Sequence, residues 1–75
     1  MEKFSLEQIK KARSLKKALS GKSVRIYSNE YFMYWRPETQ GYTPDGLEAG
    51  VWLFEVAWNL VYHCDPSKQI EFRVC

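Results

Sequence analysis

The 75-residue sequence has few of the residues on which most enzymes and metal sites depend. It contains one histidine and two cysteines: His63, Cys64 and Cys75. On a helix, the adjacent side chains of His63 and Cys64 would point about 100° apart, so they would form neither a nucleophile–base pair nor two ligands of one metal. The sequence also lacks a glycine-rich phosphate loop, a Cys-x-x-Cys pair and a Gly-x-Ser-x-Gly motif. We therefore expect no enzymatic activity, no metal site and no cofactor.

Long apolar segments are lacking as well. No run approaches the roughly 18 apolar residues that a membrane-spanning helix needs, and the charged N-terminus has no apolar segment of the kind found in signal peptides. These absences predict a cytoplasmic protein that does not span a membrane. In that compartment, Cys64 and Cys75 are expected to be free thiols and not a disulfide.

Aromatic residues and an uneven charge distribution are what the sequence has in abundance. Phe, Trp and Tyr make up 16% of the residues. They help a single domain of this length (residues 1–75) to build a core, because each buried ring removes about 150–250 Å² from water. Residues 1–25 hold eight Lys or Arg against two Glu, a net charge of +6, whereas residues 26–75 hold three against seven acidic residues, a net charge of −4. The basic first third predicts an anionic partner or an intramolecular match with the acidic remainder.

The hydrophobic pattern predicts one small α+β domain with its elements in the order α-β-β-α-β. A first helix begins at Ser5, which can form a capping box with Gln8, and ends before Gly21. Alternating residues and turn signals then predict strands and a second helix. The strands are expected at residues 23–28, 31–35 and 70–75, and the helix at about residues 51–64.

These elements are expected to form a three-stranded antiparallel sheet in the order 2-1-3, with the helices packed on one face. The opposite face would then carry four residues of the first and last strands: Arg25, Tyr27, Glu71 and Arg73.

The first helix carries a basic stripe. Lys10, Arg13 and Lys17 share one face, and Lys11 and Lys16 lie on its flanks. This stripe would contact the phosphates of a nucleic acid or lie on an acidic membrane or protein surface, or it is an ordinary solvated helix face.

The second helix carries two apolar stripes. Its core-facing side is predicted to consist of Leu53, Ala57, Leu60, Val61 and Cys64. Phe54, Trp58 and Tyr62 follow one another four residues apart and form a ridge beside that stripe. The ridge would either pack against the first helix or serve as a surface for a partner or a homodimer.

Aromatic residues also gather around a rigid turn between Tyr31 and Gly50. Trp35, Arg36 and Tyr42 lie close in sequence to a Thr-Pro-Asp-Gly segment with turn chemistry. Together with Trp52, they either close a small aromatic core in which Arg36 stacks on a ring, or they form a recognition surface.

The same segment resembles a pattern in short uncharacterised phage and prophage proteins: Trp-Arg-Pro, then Gly-Tyr-Thr-x-Asp, then Ala-Gly and a helix. The matching residues are Trp35-Arg36-Pro37, Gly41-Tyr42-Thr43, Asp45 and Ala49-Gly50, and the resemblance covers about residues 31–64. Two features depart from that pattern, because the helix after Gly50 is more apolar and the basic N-terminal helix is not part of it. The resemblance implies a phage or prophage accessory protein in a bacterial cytoplasm and supplies no functional residues.

These observations predict a small non-enzymatic module that binds an unidentified host or phage protein stoichiometrically, with inhibition as one outcome. The residues expected to contact that protein are Tyr34, Trp35, Arg36, Tyr42, Trp58 and Tyr62. The alternative is a nucleic-acid-binding module that uses Lys10, Lys11, Arg13, Lys16 and Lys17.

Overall fold

Three α-helices pack on one face of an antiparallel sheet in the computed structural model, which describes residues 2–75. The expected α+β class is therefore confirmed. Within residues 2–75, none of the helices is long and apolar enough to cross a membrane.

The N-terminal segment forms a strand and two short helices instead of one long helix. β1 (Lys3–Ser5), α1 (Leu6–Lys10) and α2 (Arg13–Leu19) follow one another. The predicted capping box at the start of α1 is confirmed. The Gln8 N–H donates to Ser5 Oγ at 3.0 Å, and the Ser5 N–H donates to Gln8 Oε1 at 3.4 Å.

The break between α1 and α2 allows both helices to bury apolar side chains. Ala12 has an extended backbone (φ −136°, ψ 95°) between them. In one straight helix, Leu6 and Leu19 would point about 140° apart, whereas here each is only 2% exposed. The prediction of one continuous helix is wrong because docking both segments on the same sheet outweighs the helical hydrogen bonds lost at Ala12.

The three predicted strands lie in the predicted order around the central strand β2 (Ser23–Ser28). β3 (Met33–Trp35) pairs with one side of β2 and β6 (Ile70–Val74) with the other, both antiparallel. Arg25, Tyr27, Glu71 and Arg73 lie on the face opposite the helices, as predicted, because they alternate with the buried residues of β2 and β6.

The prediction of only three strands is wrong, because the sheet has six. β1 pairs with β6, β4 (Tyr42–Thr43) pairs with β3, and β5 (Trp52–Leu53) pairs with β2. These three strands have two or three residues each, which is too few to display the alternation by which a strand is recognised.

The second helix is shorter than predicted. α3 (Phe54–Val61) begins directly after β5, with Leu53 as its N-cap. Leu53 is 54% exposed and therefore does not belong to the core face. That face consists of Phe54, Ala57 and Val61, each at most 1% exposed.

The side chains of Phe54, Trp58 and Tyr62 do not form a single exposed ridge. Positions four apart on a helix rotate by about 40°, so Tyr62 points about 80° away from Phe54. Phe54 is buried against Phe72, with ring centroids 5.3 Å apart, Trp58 is half-buried and Tyr62 is exposed. α2 covers part of Trp58, because the Lys16 ammonium lies 4.4 Å from the ring centroid. Phe54 is therefore part of the core and cannot belong to the predicted homodimer surface.

Candidate functional site

Four large apolar side chains are exposed around the connection between β2 and β3. Tyr31, Phe32, Met33 and Tyr42 are 48%, 73%, 36% and 42% exposed, and we call them the aromatic patch. The first two belong to the four-residue turn at residues 29–32, and Met33 begins β3. Tyr42 joins them from β4, with its ring centroid 5.2 Å from that of Tyr31.

The sequence prediction contained only Tyr42 of this patch. The sequence pattern places Tyr31 in the second strand, but the turn continues to Phe32 and the strand begins two residues later than predicted. A run of large apolar residues directly follows Asn29-Glu30. Connections of four residues are common between antiparallel strands. A turn of that length would extend to residue 32 and expose the first two side chains of the run, and this signal could have indicated the patch.

The backbone around the patch is strained. Phe32, Glu38 and Thr39 have φ values of 56°, 59° and 57°, in the left-handed region that residues with a Cβ rarely adopt. Phe32 lies in the turn before β3, and the other two lie in the loop between β3 and β4. Strained conformations of this kind cluster at functional sites, where the surrounding structure holds them.

Trp35 and Arg36 lie beneath and beside the patch. The half-buried indole of Trp35 packs against the core, and its ring centroid is 6.3 Å from that of Tyr42. Arg36 does not stack on a ring. Its Nε donates to the Tyr42 carbonyl at 3.1 Å, and its Nη1 lies 3.5 Å from a carboxylate oxygen of Glu48. Both residues therefore support the loop that presents Tyr42.

The outer strand β4 offers little for the addition of another strand. The Tyr42 carbonyl already accepts a hydrogen bond from Arg36, and the residue after Thr43 is Pro44, which has no N–H to donate. A partner at this end of the molecule would therefore be held by side chains and not by strand pairing.

Tyr34 belongs to a different cluster on the face of the sheet opposite the helices. Arg73 donates to the Tyr34 hydroxyl at 3.0 Å and to Glu71 at 2.7 Å, and its guanidinium lies 3.6 Å from the ring centroid of Tyr27. Burial lowers the pKa of Arg73, but the hydrogen bonds to Glu71 and Tyr34 outweigh it and raise the pKa overall. The cluster is internally satisfied, and the guanidinium occupies a ring face of Tyr27 on which a base would otherwise stack.

Trp58 and Tyr62, the other two predicted contact residues, lie on or just after α3. Among the described residues, neither ring contacts a ring of the aromatic patch, since Trp58 packs against Phe54 and Phe72, and Tyr62 against His63. The six predicted contact residues are thus divided among three places in the fold.

The predicted basic stripe is divided as well. Lys10 belongs to α1 and Lys11 to the break that follows it, whereas Arg13, Lys16 and Lys17 belong to α2. Because the helix axis changes at Ala12, Lys10 does not share one helix face with Arg13 and Lys17. Lys10 also lies 3.6 Å from a carboxylate oxygen of Glu7.

Comparison of the chain with models of known protein families, with curated proteins and with solved structures gives no match. The resemblance to phage and prophage proteins therefore stays a prediction. Within the part of the chain that the structure describes, no three side chains of His, Cys, Asp or Glu are grouped so that they could hold a metal ion. Cys64 and Cys75 are free thiols.

Proposed function

We propose that this chain is a small non-enzymatic module that binds a partner protein through the aromatic patch. The observation that carries the proposal is the exposure of Tyr31, Phe32, Met33 and Tyr42 at one end of the sheet. Neighbouring apolar side chains that remain exposed mark interaction surfaces. Aromatic residues dominate binding energy at such surfaces, since a few of them contribute about 2 kcal/mol or more each.

The local backbone supports this function. Phe32 projects into solvent from a turn position that disfavours every residue with a Cβ, so its presence there is better explained by contact with a partner than by folding. The loop between β3 and β4 is closed by the hydrogen bond from Arg36 to the Tyr42 carbonyl. A surface that is ordered before binding loses less entropy on association.

The biological setting follows from the resemblance alone. On that basis, the module is a phage or prophage accessory protein that acts stoichiometrically on a host or phage protein in a bacterial cytoplasm, with inhibition of that protein as one outcome.

Nucleic-acid binding by the basic residues is the second candidate function. It is favoured by Arg13, Lys16 and Lys17, which lie together on α2 and, among residues 2–75, make no ion pair with a carboxylate. Lys10 and Lys11 would extend this surface along α1. The candidate is weaker than protein binding because these lysines lie on the other side of the helix break and because Arg73 covers a ring face of Tyr27.

Affinity capture with matched variants tests the proposed function. Tagged wild-type protein, the patch variant Phe32→Ser/Tyr42→Ser and the control Leu47→Ser would be incubated with a bacterial lysate, and bound proteins would be quantified by mass spectrometry. Leu47 is a suitable control because it is 91% exposed and lies outside the patch. We expect a stoichiometric partner to be retained by wild type and by Leu47→Ser and lost by the patch variant.

Two outcomes would overturn the proposal. One is capture of no stoichiometric protein by the wild type, and the other is equal capture by all three proteins. Circular dichroism and thermal unfolding of each variant would establish that the lost interaction does not come from a lost fold.

A further inference from the structure

A groove with a volume of about 350 Å³ lies between α2 and α3, away from the aromatic patch. The residues that line it are Arg13, Lys16, Lys17, Ser20, Phe54 and Glu55. Phe54 closes the base of the groove but is only 1% exposed, so the apolar surface of the groove comes mainly from the alkyl chains of Arg13, Lys16 and Lys17. The charged ends of Arg13 and Lys17 form a basic rim.

Among residues 2–75, the positive charges at the rim are not neutralised by ion pairs. Arg13, Lys16 and Lys17 form no ion pair within 4.0 Å of a carboxylate in the part of the chain that the structure describes. The Lys16 ammonium lies 4.4 Å from the ring centroid of Trp58 and is already engaged by that ring. Arg13 and Lys17 therefore carry the charge that is available to a partner.

The single carboxylate of the groove is already engaged. Glu55 accepts hydrogen bonds from the Ser20 hydroxyl and from the Gly21 N–H, the latter at 3.1 Å to each carboxylate oxygen. These bonds, the Ser20 bond first, lower the pKa of Glu55. Glu55 therefore ties α3 to the turn that follows α2 and leaves Arg13 and Lys17 free for an external anion.

We propose that this groove binds an acidic protein segment that carries one large apolar side chain. The apolar side chain would enter the groove between the alkyl chains that line it, and carboxylates on either side of it would pair with Arg13 and Lys17. The charge complementarity of the rim selects an anionic partner, and the alkyl lining selects one with an apolar anchor.

A protein segment fits this groove better than a nucleic acid does. Single strands are held by phosphate contacts together with bases that stack on exposed ring faces. Here the ring of Trp58 is covered on one side by Lys16 and packs against Phe72, with ring centroids 6.3 Å apart.

The test uses a fluorescently labelled ten-residue peptide of Asp and Glu with one central Leu, titrated with the full chain at low salt and followed by anisotropy. We expect Arg13→Glu/Lys17→Glu to weaken binding about tenfold or more, since two attractive charge pairs become repulsive. The control Lys10→Glu/Lys11→Glu changes the net charge equally, but outside the groove, and should weaken binding much less. A peptide with Gly in place of Leu should bind more weakly than the original.

NMR spectroscopy would locate the peptide-binding site independently of the affinity. On addition of the peptide, the indole N–H resonance of Trp58, whose ring contacts Lys16, should shift. That of Trp35, which lies on β3 next to Tyr42, should stay in place. The patch variant Phe32→Ser/Tyr42→Ser should bind the peptide as wild type does, which separates this groove from the proposed protein-binding patch.

Three results would overturn the proposal. The first is an equal loss of binding in the groove variant and in the control, because only net charge would then matter. The second is undiminished binding of the peptide that lacks Leu. The third is tighter binding of a single-stranded oligonucleotide of the same charge, which would assign the basic rim to nucleic acid.

Discussion

Replacing Phe32 by glycine and by alanine tests whether the aromatic patch is held in a strained backbone. Phe32 has a φ of 56° and a side chain that is 73% exposed. For a residue with a Cβ, the left-handed conformation costs about 1–2 kcal/mol, whereas glycine adopts it without strain. Both substitutions remove the same ring, so the difference between them reports the backbone and not the lost contacts.

The expected difference is about 0.5–1 kcal/mol in favour of Phe32→Gly. Glycine has more freedom in the unfolded chain than alanine, which offsets about 0.5–1 kcal/mol of the relieved strain. At a position with an ordinary backbone, the order reverses and alanine is the more stable by a similar amount. Met33 provides that control, because it is the next residue, lies in β3 and has no positive φ.

Urea unfolding of the four variants, followed by tryptophan fluorescence, would measure these differences. Phe32→Gly should be more stable than Phe32→Ala, and Met33→Gly less stable than Met33→Ala. In thermal unfolding, a difference of 1 kcal/mol corresponds to about 4–8 °C in Tm for a domain of this size. A Phe32→Ala variant as stable as Phe32→Gly would refute the strain, and with it the argument that the position of Phe32 is explained by binding.

Two further predictions concern the loop and α3. Gly50→Ala would place its Cβ well inside contact distance of the ring of Trp52, so we expect it to lower the free energy of unfolding by about 1–3 kcal/mol. Gly46→Ala, with its nearest contact at 3.5 Å, should stay within about 0.5 kcal/mol of wild type, and equal losses in urea unfolding would contradict the close approach. The hydrogen bond from Ser20 holds the pKa of Glu55 below its ordinary value of 4.5, so this carboxylate stabilises the fold above that pH and ceases to do so as the pH falls through the lowered pKa. Glu55→Gln should therefore lower the urea midpoint near neutral pH but not in acid, and a decrease independent of pH would contradict the role of the carboxylate.

The centre of the sheet could be predicted from the sequence because its strands are long enough to alternate. β2 and β6 have six and five residues, and their apolar residues recur at every second position, so one register buries Ile26 and Phe72 together. β4 and β5 could not be predicted in this way. Each has two residues and exists because the chain between β3 and α3 returns to the sheet.

The break in the N-terminal helix could not be predicted because residues 6–19 contain good helix formers with a regular apolar stripe. Local propensity is a weak preference that packing can override. The pairing of β1 with β6 fixes where α1 begins, and the burial of Leu19 fixes where α2 must lie. Ala12 is the residue at which these two requirements meet.

The aromatic patch could not be predicted because its residues have a preference for strands. Tyr and Phe favour strands, so the sequence predicts that Tyr31 and Phe32 belong to a strand. A left-handed turn position is normally recognised by Gly or Asn, and a phenylalanine there gives no such signal. Phe32, the residue on which the proposed function depends most, is thus the one whose conformation could not be predicted from the sequence.

The Trp-Arg-Pro, Gly-Tyr-Thr-x-Asp and Ala-Gly residues hold the loop between β3 and α3 closed. The Arg36 N–H donates to the Gly41 carbonyl at 2.8 Å, and the Gly50 N–H donates to the Trp35 carbonyl at 2.9 Å. The Asp45 N–H donates to Thr43 Oγ1 at 3.1 Å. These bonds join the two ends of the loop and fix its turn, so the residues of this pattern form a scaffold.

The side chains that we propose for binding lie largely outside that scaffold. Tyr31, Phe32 and Met33 come before Trp35, in a turn that makes none of the hydrogen bonds that close the loop, and only Tyr42 belongs to both. A protein with the same pattern would therefore keep the loop while its turn residues are free to differ. It follows that substitutions at Tyr31 and Phe32 should change which partner is bound without changing the fold, whereas substitution of Gly50 should disturb the fold itself.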